Sequence, residues 1–155
     1  MQIQRSLRVT VILWAVLLFL GSCKTISVFD QYAYAQATAL KVDALNLMDK
    51  ATETYASQQA GIDAVNTQIE KAYEYEKHRP KNTITVKMWE ILKNPDRNLL
   101  GGYLKRWKDR SALSADFIRE AKVQVSQAFD LIVELESEKI KPTDEKVTTF
   151  INTNQ

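Results

Sequence analysis

Few side chains in this sequence could do covalent chemistry, and the first is Cys23. It is the only cysteine among 155 residues, so no intrachain disulfide can form. A thiolate is a strong nucleophile, and this one follows two small residues in Leu20-Gly21-Ser22-Cys23. His78 is the only histidine, so neither a catalytic triad nor an ordinary zinc site has the partners it needs. Placed at a helix end, it reads as a surface cap. Glu134, Glu136 and Glu138 are close in sequence, but on a helix Glu136 faces away from the other two, and all three read as a solvated face. Gly101-Gly102 lacks the Lys-Ser/Thr of a phosphate loop, and no CxxC, HExxH or GxSxG occurs. No catalytic residue, metal ligand or cofactor site is therefore expected, and the chain does not read as an enzyme.

The best candidate for a partner or ligand surface is Tyr103-Leu104-Lys105-Arg106-Trp107-Lys108-Asp109-Arg110, with Trp89 upstream. Tyr and Trp interleaved with Lys105, Arg106, Lys108 and Arg110 suit an anionic ligand or a membrane interface. The competing expectation is that Tyr103 and Trp107, four residues apart, are packing residues and the bases are the wet face.

The elements around Cys23 are a targeting segment. Arg5 and Arg8 precede an apolar run from Val9 to Leu20, interrupted only by Thr10, and small residues follow. That is the layout of a secretory signal. A membrane-spanning helix needs about 20 apolar residues, more than this run holds. On these residues, Leu20-Gly21-Ser22-Cys23 resembles the lipobox of bacterial lipoproteins. The resemblance implies diacylglycerol on the Cys23 thiol, signal-peptidase recognition of Leu20, Gly21 and Ser22, cleavage before Cys23, and fatty acylation, for instance with palmitate, of the new amino group. Two or three acyl chains would hold the protein firmly on a membrane. Lys24, where some bacteria use Asp as an inner-membrane retention signal, leans the resemblance toward the outer membrane, facing the periplasm.

Removing residues 1–22 leaves nineteen basic and nineteen acidic residues, so the basic character of the whole chain is no nucleic-acid signal. The charge is uneven. Residues 30–76 carry 8 acids and 3 bases, residues 77–110 carry 10 bases and 3 acids, and residues 111–155 carry 8 acids and 5 bases. A basic middle between acidic arms suits a chain that folds back on itself.

With only 4 Gly and 3 Pro, long helices are favoured. From Phe29 to about Arg79 a heptad runs through Ala37, Ala44, Ala51, Gln58, Val65 and Ala72, alternating with Met48, Tyr55, Ile62 and Ile69. This predicts one long helix of about 76 Å, bent if anywhere at Gly61 and ending at Arg79-Pro80. A short helix is expected over 84–93. An apolar stripe through Leu99, Leu100, Tyr103, Leu104 and Trp107 follows, weakened by its two glycines. Ser114 is the expected cap of a helix reaching about Ile140, with a seam of Ile118, Ala121, Val125, Ala128, Ile132 and Leu135.

The expected fold is all-α: an elongated antiparallel helical hairpin or slim helical bundle with a long first helix. Its parts are a signal peptide (1–22), a lipid-anchored linker (23–28), a helical domain (29–140) and a mobile tail (141–155). The expected function is that of a non-catalytic cell-envelope lipoprotein binding a protein partner as scaffold, accessory subunit or inhibitor. The alternative is a helical module holding a small apolar or anionic molecule. The export signal argues against nucleic acid, and homo-oligomers through the Ala-rich seam remain open.

Overall fold

The computed structural model describes residues 29–137, 140, 141 and 143–154. The expected signal peptide (1–22), with its lipobox resemblance, and the expected lipid-anchored linker (23–28) lie outside the described residues. The described chain is all-α, a bundle of six helices with no strand among the described residues.

Helix α1, Gln31–Asp49, starts at Asp30, whose carboxylate accepts from the Tyr32 and Ala33 amides. Its Ala33, Ala37, Leu40, Ala44, Leu47 and Met48 are buried. Helix α2, Gln59–Lys77, buries Ile62, Val65, Ile69, Ala72 and Glu76. Helix α3 is Thr83–Lys93, α4 is Leu100–Arg110, α5 is Ala115–Glu136 and α6 is Glu145–Thr153. Ser114 caps α5 by accepting from the Phe117 amide, as its position predicts. Helix α1 packs mainly on α5 and α2, and α3 packs on α2 and α5 in turn. The ion pairs Lys41–Asp130 and Lys122–Asp49 (2.5 Å) show that α1 and α5 run antiparallel.

The single long first helix is not formed. The seam residues are buried as the heptad requires, apart from half-buried Tyr55 and Gln58, but the helix breaks at Asp49 and resumes at Gln59 through two 3-10 turns, Lys50–Thr52 and Tyr55–Gln58. Local chemistry favours the break: Thr54 caps the second turn, accepting from Ser57 N. Tertiary bonds then satisfy the freed backbone. Leu113 N donates to the Ala51 carbonyl at 2.7 Å, Tyr55 N to the Ser111 carbonyl at 2.8 Å, and Trp107 Nε1 to the Glu53 carbonyl at 3.0 Å. Two half-length helices folded together bury the Ala-rich face of α1 against the Ile62, Val65 and Ile69 face of α2, which one straight rod cannot do alone.

Gly101 and Gly102 strengthen α4. A Cβ on Gly101 would come within 2.2 Å of the Lys93 carbonyl oxygen, and one on Gly102 within 1.7 Å of the Arg97 oxygen. Only glycine lets the start of α4 cross this turn so closely. In place of the mobile tail, residues 145–153 form α6, capped by Asp144. Its Val147 and Ile151 are buried in the common core, and α6 packs on α3 and α5. A short amphipathic helix with apolar residues four apart hides a stripe that too few residues announce.

Candidate functional site

Helix α4 divides the predicted surface in two. Tyr103 and Trp107 are 3% and 0% exposed, and Trp89 of α3 is 1% exposed. Tyr103 OH donates to the Met48 carbonyl at 2.8 Å, and Trp107 meets Tyr55 edge-on with ring centroids 5.5 Å apart. Trp89 lies edge-on to Phe129 at 5.9 Å. These three rings are core, and none lines a surface site; the i, i+4 spacing is a packing signal here. Burial raises the Tyr103 hydroxyl far above the usual phenol range, so it remains a donor.

Lys105, Arg106, Lys108 and Arg110 occupy the outer face of the same helix and are exposed. Arg106 lies over the Phe117 ring at 4.3 Å, and that ring stacks on Tyr103. Lys105 pairs with Asp109 at 2.9 Å, which raises the lysine pKa. A shallow open depression of about 490 Å³ is lined by Arg97, Lys105, Arg106 and Arg110, with Asp96 and Asp109 at its side. Its polar, positive lining suits a carboxylate or phosphate group on a partner surface.

A second constellation was not legible as one. Where α1 begins and α2 and α5 end, Arg79 Nη1 lies 2.7 Å from Glu76 Oε2 and 2.5 Å from Glu136 Oε2. Glu76 and Glu136 are buried, at 2% and 4% exposure. Buried Asn82 donates its amide to Glu76, and Arg79 Nε is 3.8 Å from Asp30. Tyr75 OH donates to the same Asp30 carboxylate at 2.7 Å. Burial and then the neighbouring Glu136 push Glu76 up to about 7, and burial raises Glu136 as well. Burial works against the charge on Arg79, but Glu136 and Glu76 outweigh it and raise its pKa. The Ala33 and Tyr75 hydrogen bonds hold Asp30 below its ordinary value.

Glu136 therefore is not part of a solvated face. The signal was its register: Ile132 and Leu135 are core positions, and Glu136 continues their stripe, just as Glu76 continues Ile69 and Ala72. An acid on the apolar stripe is a buried acid, and it needs a cation. The cluster ties the ends of three helices together, and its chemistry is proton uptake and cohesion. His78, at the end of α2, is exposed and stands 4.0 Å from Glu74.

Among the described residues no group of three or more His, Cys, Asp or Glu is placed to hold a metal, and no helix is long and apolar enough to cross a membrane. Cys23, Leu20, Gly21 and Ser22 lie outside the described residues. Compared with protein-family models, with curated proteins and with solved structures, the chain matches none.

Proposed function

We propose that this protein is anchored to the bacterial cell envelope by lipid on Cys23 and serves there as a scaffold, accessory subunit or inhibitor that binds another envelope protein. One observation carries the partner reading: a helix whose inner aromatics are fully packed holds four bases outward. That helix is pinned to the far end of α1, through Tyr103 to Met48 and Trp107 to Glu53. Helix α1 begins at Asp30, a few residues after the anchor cysteine, and its 19 residues reach about 28 Å. The bundle thus carries the basic face of α4 away from the tethered end, toward an acidic protein surface.

The test has two arms. Mass spectrometry of the mature amino terminus reads the anchor; an unmodified Cys23, or Ser22 still attached, sinks it. Photo-crosslinking in cells from exposed position 109 reads the partner. One defined envelope protein is expected, and its capture is lost when Lys105, Arg106, Lys108 and Arg110 become Glu. Capture of no specific neighbour, or capture indifferent to those four charges, overturns the partner reading.

A further inference from the structure

Among the described residues five large apolar side chains are exposed, and three of them share one end of the bundle. Phe29 is 49% exposed, Tyr32 57% and Tyr75 36%. They stand close to the start of α1 in two ring contacts. Tyr32 packs on Tyr75 with ring centroids 4.8 Å apart, Phe29 lies 6.3 Å from Tyr34, and Asp30 holds Tyr75 through its hydroxyl. The other two, Val42 and Val123, stand along the sides of α1 and α5. The start of α1 is the point where the chain enters from the linker.

We propose that this aromatic end rests on the lipid headgroups of the membrane that holds the anchor, so that the bundle stands end-on with α4 outward. The inference rests on the lipid-anchor reading above. Its second support is reach. Five residues separate Cys23 from Phe29, and even a fully extended chain covers only about 3.3–3.6 Å per residue. Phe29 is therefore held within about 20 Å of the acylated sulfur, whatever path the linker takes. Tyrosine has a ring that prefers the apolar boundary and a hydroxyl that prefers water, which is why such side chains collect at membrane interfaces. Exposed Lys77, His78 and Lys81 sit on the adjoining turn. Glu74 pairs with Lys77 at 2.8 Å, leaving the rim suited to anionic headgroups without strong net charge.

The full lipidated chain carrying Tyr32→Trp, and separately Val123→Trp, would be placed in vesicles of phosphatidylethanolamine and phosphatidylglycerol. Some vesicles would carry bromine near the top of the acyl chains. Native Trp89 and Trp107 are shielded by burial and give a constant background. Flotation with the vesicles reads the anchor independently of the quenching. The expected result is that the Tyr32→Trp chain floats and loses most of its added emission to the bromolipid, while the Val123→Trp chain floats and keeps it. Equal quenching of both means that the bundle lies on its side, and overturns the end-on arrangement. Floating chains with neither quenched overturn headgroup contact while the anchor stands. If the Tyr32→Trp emission is then also shielded from aqueous iodide, a second copy of the chain covers this end. A chain that does not float removes the anchor, and this proposal falls with it.

Discussion

Arg79 reaches across 57 residues of sequence to place its guanidinium 2.5 Å from the Glu136 carboxylate, with Glu76 on the same nitrogen at 2.7 Å. One cation between two buried acids is stable only as a set, since removing the cation leaves charges with no water and no partner. Arg79→Met should therefore cost about 3–5 kcal/mol at pH 8. The loss should shrink toward pH 5, where Glu76, raised to about 7, takes up its proton and needs no cation; burial shifts Glu136 in the same direction. Urea unfolding at the two pH values checks this; an equal loss at both would mean that the arginine acts by packing alone.

Glu76 itself carries a pH dependence of definite sign. Its folded pKa of about 7 lies above the ordinary 4.5, so the folded state holds the proton more tightly than the unfolded state. The stability from that proton is complete below about 4.5 and is lost as pH rises to about 7. Glu76→Gln keeps an acceptor for Asn82 and cannot ionise. Relative to the parent chain it should gain up to about 3 kcal/mol between pH 4.5 and pH 8. Parallel stability curves for the two chains over that range would show that Glu76 titrates normally.

The helical class and both apolar seams were legible because burial follows the 3.6-residue period whether or not the helix is continuous. Ala37, Ala44, Ile62 and Ile69 face the core as their spacing requires, although a turn separates the first pair from the second. The break itself was not legible, because its carbonyls are satisfied by Tyr103, Trp107 and Leu113 from far along the chain. A local pattern carries no record of such donors. The ionic cluster lay between these cases. Its two acids sit on the apolar stripes and so were readable as buried, but the cation that unites them lies in a turn, where no periodicity applies.

Two glycines with the same helical environment should respond oppositely to alanine. In Gly61 a new Cβ meets only the flexible Leu47 Cδ1, at 3.3 Å. Gly61→Ala should then gain up to about 1 kcal/mol from helix propensity. In Gly102 it meets the Arg97 backbone at 1.7 Å, which cannot yield without moving the turn. Gly102→Ala should lose about 1–3 kcal/mol or more. Thermal melts of the two variants decide; a stable Gly102→Ala chain would mean that α4 can start elsewhere.

Helix α6 is held by few residues, so single changes in it should be felt. Ile151 is 7% exposed and belongs to the common core, beside fully buried Val147. Ile151→Ala should cost about 2–5 kcal/mol if α6 unfolds with the rest of the bundle. Amide exchange sharpens the test. Protection of the 147–153 amides matching that of α5 is expected, and fast exchange confined to α6 would show that the segment opens alone.

The turn between α1 and α2 should depend on donors that α4 supplies. Tyr103→Phe leaves the Met48 carbonyl without the hydroxyl, and Trp107→Phe leaves the Glu53 carbonyl without the indole. The buried Met48 carbonyl left unpaired costs about 1–3 kcal/mol; the part-buried Glu53 carbonyl costs less, and Trp107→Phe adds a loss of packing against Tyr55. Because both bonds fix the same turn, the first loss loosens the geometry that the second bond needs. The double variant should cost less than the two single costs added together, with a coupling of about 0.5 kcal/mol or more. Strict additivity in a double-mutant cycle would mean that the two rings anchor α4 independently, and that the turn at 50–58 holds its shape without them.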